Sequence, residues 1–279
     1  MEAGKPHWLK APIGGHGRYA SVKDVLRKHN LNTVCEEARC PNMGECWGCG
    51  TATFMILGET CTRNCSFCAV KSSDAGDELD IEEPANLAEA VRELNLAYVV
   101  LTSVDRDDLK DKGSGRYAEC IRALKGVGAK VEVLIPDYTG DELEAVVNAG
   151  PDVVAHNIEV VERLQHLRDS RASYQGSLQT LLEVKKLNPS LKTKSSIMLG
   201  LGEKEGEIVQ AMDDLRAVGC DFLVIGQYLQ PTRKQTQVVE YVEPRVFQRF
   251  KEKAFEKGFE KVTSEPLART SYQAAETAK

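Results

Sequence analysis

The segment from Cys61 to Cys68 places three thiols in eight residues, with the spacing C-x3-C-x2-C. We call Cys61, Cys65 and Cys68 the downstream cysteines. Three thiolates can hold three corners of a cubane iron–sulfur cluster and leave its fourth iron free to bind a substrate or cofactor. Phe67 is placed to shield such a site from water. Zinc sites usually combine C-x2-C with a second such pair or with histidines, and none follows here, so the spacing favours a cluster.

A second set of thiols, the upstream cysteines Cys35, Cys40 and Cys46, has the spacing C-x4-C-x5-C. In a reducing compartment, cysteines clustered in this way indicate metal rather than disulfides. The two sets predict two clusters, each short of a fourth cysteine, and the alternative is one zinc site that draws on both sets. Cys49 is either a spare ligand or a free thiol. The two remaining cysteines stand alone on helix-like patterns, and we expect them to be buried.

The composition is that of an ordinary globular protein, with 42% hydrophobic and 28% charged residues. A net charge of −6 argues against non-specific nucleic-acid binding, which needs a basic surface. No apolar run has the length of a membrane span, and the N-terminus resembles neither a signal peptide nor a transit sequence. We therefore expect a cytoplasmic protein that binds neither nucleic acid nor membrane. His7, His16 and His29 are predicted to lie at the surface.

From residue 51 the chain alternates short apolar runs with helical patterns, which predicts βαβ units and a parallel sheet. The predicted strands are Thr53–Leu57, Tyr98–Thr102, Val131–Ile135, Val153–Ala155, Ser195–Leu199 and Phe222–Ile225. Six units are too few for a closed eight-stranded barrel. The predicted fold is therefore α/β, a partial (βα)6 TIM-like barrel over 51–243 with a cysteine-rich N-terminal extension, 1–50. The C-terminal extension, 244–279, is predicted to contain a helix, a short strand at Phe259–Thr263 and a polar tail.

Barrel enzymes carry their chemistry in the loops that follow the strands, and the unusual polar residues of this chain fall there. Each loop alone is explained equally well by helix caps and turns, but six at one rim favour a single deep site. The charged loop 105–108 is either a mutually paired solvated surface or part of that site. His156 is either a site residue or a hydrogen-bonded core histidine.

The downstream cysteine loop resembles the signature loop of the radical S-adenosylmethionine (SAM) enzymes. That resemblance implies a pocket for a ribose diol, an adenine edge and a methionine. Asn157 and Glu159 suit the ribose hydroxyls as donor and acceptor, and Gly200 and Gly202 would let the backbone approach a ligand closely. The full predicted cofactor-binding set is Phe67, Thr102, Ser103, Asn157, Glu159, Gly200 and Gly202.

From about residue 8 to residue 272 the chain resembles the lipoyl synthase family. The most specific segments are CEEARCPNMGECW (35–47) and CTRNCSFCAV (61–70). TSVDRDDL (102–109), HNIE (156–159), KSSIMLGLGE (194–203) and GQYLQPT (226–232) add to the resemblance. The downstream spacing by itself identifies only the superfamily, whereas the upstream spacing is far more diagnostic.

The resemblance implies that the downstream cysteines hold a [4Fe–4S] cluster that cleaves SAM to a deoxyadenosyl radical. The upstream cysteines would hold an auxiliary [4Fe–4S] cluster, consumed as the sulfur donor and completed by Ser271. Two sulfurs would enter at carbons six and eight of an octanoyl chain on a carrier-protein lysine, in H-protein or an E2 lipoyl domain. A low-potential electron donor and an iron–sulfur delivery protein are the other implied partners.

Four departures from the family pattern retain every predicted ligand. Gln235-Thr236 stands where the family usually has His-Leu, Glu265 where it tends to have Gly, and Thr270 where it has Ser. Tyr138 and Thr139 stand where Phe and Arg are commoner. We expect the departures to affect carrier docking and substrate details. The alternatives are another radical SAM enzyme that inserts sulfur or methylthiolates, an iron–sulfur carrier or scaffold, and a zinc-bound interaction module.

Overall fold

A computed structural model describes residues 5–10, 19–48, 52–272 and 274 of the chain. His16 and Cys49 lie outside the described residues. The helices are α1 (Tyr19–Lys28), α2 (Val34–Glu37), α3 (Met43–Gly48), α4 (Glu83–Leu94), α5 (Ser114–Gly126), α6 (Gly140–Asn148), α7 (Tyr174–Leu187), α8 (Glu205–Ala217) and α9 (Pro244–Glu256), with 3-10 turns at His7–Leu9 and Glu162–Leu167. The strands are β1 (Asn32–Thr33), β2 (Thr53–Ile56), β3 (Thr60–Cys61), β4 (Lys71–Ser72), β5 (Tyr98–Ser103), β6 (Lys130–Leu134), β7 (Val153–Ala155), β8 (Lys192–Leu199), β9 (Phe222–Gln227) and β10 (Lys261–Ser264).

Eight strands form one sheet in the order β1-β2-β5-β6-β7-β8-β9-β10. Neighbouring strands run parallel except β1 and β2, which are antiparallel with Thr33 opposite Phe54. Because β1 and β10 are the two edges, the sheet stays open. The predicted partial barrel is confirmed.

The six predicted strands are all present. The differences from prediction are short elements in the two extensions and, within the barrel region, the paired strands β3 and β4 and the 3-10 turn at Glu162–Leu167. The predicted final strand begins two residues later, at Lys261, and extends the sheet beside β9. The short helices α2 and α3 and the edge strand β1 were not predicted. Elements of two to six residues carry too little periodicity to be recognised, and they form here because tertiary packing supports them.

The core lies on the outer face of the sheet, beneath the helices. Phe54, Tyr117 and Tyr138 are fully buried there. Side chains alternate between the two faces of a strand, and Leu134 and Ser196 on the inner face line a cavity. No helix in the described ranges is long and apolar enough to cross a membrane.

The surface position predicted for His29 is wrong. α1 packs against α4, and His29, just past the end of α1, is only 7% exposed with its Nε2 3.0 Å from a carboxylate oxygen of Glu93. His7 is exposed, as predicted. The two isolated cysteines, Cys120 and Cys220, are fully buried, as predicted.

A buried ion pair crosses the inner face of the sheet. Lys194 Nζ on β8 lies 2.8 Å from Glu132 Oε1 on β6, and both side chains are 1% exposed. The Tyr98 hydroxyl donates to the other Glu132 oxygen at 2.7 Å. A buried charge without its partner is strongly destabilising, so each member requires the other.

Lys194→Met should lower the free energy of unfolding by about 3–5 kcal/mol, because the Glu132 carboxylate would stay buried without a cation. Lys192→Met, two residues earlier on β8, is the control. Lys192 is 41% exposed and pairs with Glu260, so its loss should cost about 1 kcal/mol at most. Urea unfolding followed by circular dichroism measures both, and equal losses would contradict the prediction.

Candidate iron–sulfur and cofactor site

The inner face of the sheet opens toward the carboxyl ends of its strands into a cavity of about 350 Å³. Its walls come from the upstream cysteine segment, the loops at the rim of the barrel and the C-terminal tail. The predicted site residues in its lining are Cys35, Cys40, Phe67, Cys68, Asn157, Glu159 and Ser271. Members of both cysteine sets and of the predicted SAM contacts therefore face the same space.

The downstream cysteines lie on β3 and the loop that follows it, and backbone hydrogen bonds hold this loop. The amide of Arg63 donates to Cys61 Sγ, and the amide of Asp169 donates to Cys65 Sγ, both at 3.3 Å. The amide and the hydroxyl of Thr62 both donate to the carbonyl of the rim residue Asp105, at 2.9 and 3.0 Å. Hydrogen bonds to sulfur are among the factors that set the reduction potential of iron–sulfur sites.

Arg63, between the first two downstream cysteines, is buried among carboxylates. Its Nε and Nη2 donate to Asp107 at 2.9 and 3.0 Å, and its Nη1 donates to Asp137. Its Nε also lies 3.4 Å from Asp105. Burial raises the pKa of Asp105 to about 6, although Arg63 opposes the rise. The charged loop after β5 therefore pairs with the cysteine loop and is not the solvated surface that the sequence left open.

The segment after β9 holds the other side of the cysteine loop. Thr236 N donates to the carbonyl of Ser66 at 2.9 Å, and the hydroxyls of the two residues lie 2.8 Å apart. Gln235 Nε2 donates to the carbonyl of Cys68 at 3.0 Å. Gln235 and Thr236, which depart from the family pattern, thus contact the cysteine loop. The sequence did not predict these contacts, because they join residues 167 and 170 positions apart.

The upstream cysteines lie on α2, on α3 and between them. β1 ties this segment to the barrel, and the Thr33 hydroxyl caps α2 by accepting from Glu36 N at 3.4 Å. A second, smaller cavity is lined by Cys35, Cys40, Asn42, Cys46, Ala52, Thr53, Arg269, Ser271 and Tyr272. This lining contains all three upstream thiols together with the Ser271 hydroxyl, which is the ligand set that the family resemblance implies, and it also contains the hydroxyl-bearing residues Thr53 and Tyr272.

The C-terminal tail crosses the end of the sheet to reach the upstream cysteines. Asn42 Nδ2 donates to the carbonyl of Leu267 at 2.7 Å. The tail passes so close to β9 that a Cβ atom on Gly226 would lie 2.1 Å from the carbonyl oxygen of Ala268. The absence of a side chain at Gly226 therefore allows the tail to bring Ser271 to the second cavity.

Among the predicted cofactor contacts, Asn157 and Glu159 lie together in the main cavity. Asn157 Nδ2 donates to Glu159 Oε1 at 3.0 Å. Glu159 has a φ of 63°, in the left-handed region that non-glycine residues seldom adopt, which turns the chain sharply after β7. Burial raises the pKa of the Glu159 carboxyl. The pair presents one amide and one carboxylate to the cavity.

Thr102, Ser103, Gly200 and Gly202 are not among the described residues that line the cavity. Thr102 Oγ1 donates to the carbonyl of Leu134 at 3.2 Å. A Cβ atom on Gly200 would lie 2.1 Å from Nε2, the side-chain amide nitrogen, of Gln227. Leu134 and Gln227 do line the cavity, so two of the four stand directly behind its wall. Their contact with SAM stays a prediction.

His156 is a hydrogen-bonded core residue. Its Nδ1 lies 2.9 Å from the carbonyl oxygen of Ile135, and its Nε2 lies 2.9 Å from Ser177 Oγ and 3.2 Å from Asp137 Oδ1. Although burial would raise the pKa of Asp137, the hydrogen bond and charge of His156, with the cations around it, hold it well below its usual range. His156 therefore anchors Asp137, which in turn accepts from Arg63.

The chemistry of the donor groups fits two iron–sulfur clusters. Burial raises the pKa of Cys65 to about 12 and that of Cys68 to about 11, and it also raises those of Cys35 and Cys61. Metals bind the thiolate and displace these protons, and soft thiolates are the ligands of iron–sulfur clusters. No three His, Cys, Asp or Glu side chains in the described residues are grouped closely enough to hold a single metal ion.

Comparison with known proteins defines the class. The profile of the radical SAM superfamily matches residues 55–215. The crystal structure of methylornithine synthase has a TM-score of 0.56 at 14% identity, over 93% of this chain and 86% of that one. Streptococcus suis SuiB bound to S-adenosylmethionine has a TM-score of 0.59 at 9% identity, over 88% and 53%. These structures share the fold, and the profile match places the chain in the radical SAM superfamily.

The profile of the N-terminal domain of lipoyl synthase matches residues 2–40. The lipoyl synthase of Methanocella arvoryzae is 52% identical over 98% of this chain and 94% of its own length. Those of Ectopseudomonas mendocina and Drosophila mojavensis, the latter mitochondrial, are each 50% identical over 97% of this chain and 79% and 77% of their own lengths. Within the superfamily, the chain belongs to the lipoyl synthase family.

Membership confirms the predicted activity and cofactors. The chain is a radical SAM enzyme that inserts sulfur, its cofactors are SAM and [4Fe–4S] clusters, and its substrate is an octanoylated carrier protein. The electron-carrier and zinc-module alternatives are set aside, because neither belongs to this family.

Gly226→Ala should release the tail, because the new methyl group would overlap the carbonyl oxygen of Ala268. Overpacking of about 1–3 kcal/mol would speed amide exchange in residues 267–272 by roughly ten- to a hundredfold. Gly206→Ala, on α8 with no atom within 4 Å of the added carbon, is the control. Hydrogen exchange read by mass spectrometry makes the comparison, and unchanged exchange in Gly226→Ala would refute the prediction.

Proposed function

We propose that the downstream cysteines bind the cluster that cleaves SAM and that the upstream cysteines, with Ser271, bind the auxiliary cluster that supplies sulfur. The observation that carries this assignment is the shared cavity, which Cys35, Cys40, Cys68 and Ser271 all line. Sulfur transfer requires that one substrate chain reach both groups. Two clusters that face one cavity meet that requirement without moving the substrate between sites.

When bound, SAM and the clusters supply the radical that removes hydrogen from unactivated carbons and the sulfur that replaces it. The chain contributes position and shelter. Val34, Leu134, Met198 and Leu229 give the cavity an apolar lining, which suits an eight-carbon acyl arm and excludes water from the reacting carbons. Phe67 lies in the same lining beside Cys68.

In this proposal Asn157 and Glu159 bind the ribose hydroxyls of SAM as donor and acceptor. Burial is the main cause of the raised pKa of the Glu159 carboxyl, and a ribose hydroxyl that donates to the carboxylate would lower that pKa again. Thr102 and Gly200 would act indirectly, by positioning the cavity-lining residues Leu134 and Gln227 that they contact. Ser103, at the end of β5, and Gly202, shortly after β8, complete the proposed set.

The carrier is proposed to be H-protein or an E2 lipoyl domain, whose lysine-linked octanoyl arm would enter the open cavity. A low-potential electron donor and an iron–sulfur delivery protein would serve the clusters. We propose a cytoplasmic location, since seven closely spaced thiols between Cys35 and Cys68 need a reducing compartment. Functionally, 1–50 and 244–279 would build the auxiliary site on the barrel at 51–243.

Cys40→Ala and Cys65→Ala test the assignment of ligands. The reconstituted wild-type protein should hold about eight irons per chain and each variant about four, because each loses one of two four-iron clusters. Cys120→Ala, in the core far from either set in sequence, should keep the wild-type iron content. Anaerobic iron and sulfide analysis gives the counts.

Single turnover with SAM, reductant and an octanoyl-lysine peptide separates the roles. Cys40→Ala should still release deoxyadenosine but leave no sulfur in the peptide, whereas Cys65→Ala should form neither product. Deoxyadenosine from Cys65→Ala, or a dithiolated peptide from Cys40→Ala, would overturn the assignment. Mass spectrometry reads both products.

A further inference from the structure

A hydrogen-bonded contact joins the C-terminal tail to the predicted SAM pocket. Asn157 Nδ2 lies 3.0 Å from Thr270 Oγ1, and the same hydroxyl lies 3.3 Å from Asn157 Oδ1. Asn157 is 8% exposed, and its amide also donates to Glu159 at 3.0 Å. Asn157 and Thr270 line the main cavity together with Ser271. One hydroxyl can donate once and accept twice, so Thr270 can satisfy either end of the amide.

Thr270 differs from its neighbours in what it contacts. Leu267 and Tyr272, on either side, bind the N-terminal segment through Asn42 and Glu45, at 2.7 and 3.0 Å. Thr270 instead binds the loop after β7. Thr270 therefore connects the tail segment that carries Ser271 to Asn157, one of the residues proposed to bind the ribose of SAM.

The side chain at 270 also suits this task. Threonine is β-branched, so its χ1 angle has fewer accessible rotamers than that of serine, the residue usual in the family. A hydroxyl with a restricted direction fixes the Asn157 amide, and the amide in turn fixes the Glu159 carboxylate. Threonine at position 270 thus keeps the hydroxyl that serine would provide and restricts the rotation of that hydroxyl about χ1.

We propose that Thr270 is a positioning residue that couples closure of the tail to SAM binding. The proposal rests on the function proposed above and deepens it. A closed tail holds Asn157 and Glu159 in the orientation that the ribose needs, so it favours SAM. By linkage, bound SAM must stabilise the closed tail by the same factor. Ser271 would then be in place at the auxiliary site whenever SAM is bound.

Thr270→Val tests the coupling, since it keeps the branched shape and removes only the hydroxyl. Loss of one hydrogen bond should weaken SAM binding to the reconstituted protein by about tenfold. Thr270→Ser, which restores the hydroxyl, should bind within about threefold of the wild type. Equilibrium dialysis with SAM measures the affinities. Wild-type affinity in Thr270→Val would overturn the proposal.

Amide exchange in residues 267–272 supplies a readout that a merely structural contact would not change. SAM should slow exchange there in the wild type and in Thr270→Ser, and should have little effect in Thr270→Val. Equal slowing in all three would overturn the coupling. Iron analysis and turnover of the wild type keep this result separate, because a wild type without iron or without SAM binding would instead refute the proposed function.

A double-mutant cycle covers the case in which Thr270→Val loses its clusters. Exchange in 267–272 without SAM is compared among the wild type, Thr270→Val, Asn157→Ala and the double variant. Contacting residues should be non-additive, so Thr270→Val should add little to the effect of Asn157→Ala. Full additivity of the two effects would overturn the proposal.

Discussion

The side-chain amide of Asn42 donates a hydrogen bond to the carbonyl of Leu267 and so joins two segments that are 225 residues apart in the sequence. The complete site depends on long-range contacts of this kind. An open barrel leaves two sheet edges. Here β1 and β10 form those edges, and each leads into an extension that reaches the rim. The upstream cysteines arrive from one extension and Ser271 from the other. The open sheet thus creates the need for the two extensions, and their meeting creates the second cavity.

The downstream cysteine loop is held differently, by charge. A buried guanidinium is stable only among carboxylates, and Arg63 has Asp105, Asp107 and Asp137 around it. These carboxylates come from the loops after β5 and β6, so the loop after β2 is fixed to the next two loops along the rim. Hydrogen bonds from Gln235 and Thr236 hold its far side. The thiols are therefore positioned by charge and by backbone contacts.

The two halves of the site are built differently. The barrel half rests on parallel strands and buried ion pairs. The auxiliary half rests on short helices, a tail and a few hydrogen bonds, such as the one from the Asn42 side chain to the carbonyl of Leu267. In the proposed assignment the auxiliary group is consumed as the sulfur donor and must be replaced, and a ligand set built partly from a tail would be able to open for that exchange without disturbing the barrel.

Local sequence determined the alternating architecture, the two cysteine sets and the family, because strand periodicity and thiol spacing are local properties. It also predicted Asn157 and Glu159 as site residues and, through the family resemblance, Ser271, and all three line the cavity. Tertiary structure alone decided which of these share a cavity, and it showed Thr102 and Gly200 behind the wall. It also buried His29, made His156 a core residue and placed Arg63, Gln235 and Thr270 in their contacts. Those outcomes depend on contacts between distant segments, and a linear pattern carries no information about which distant residues will meet.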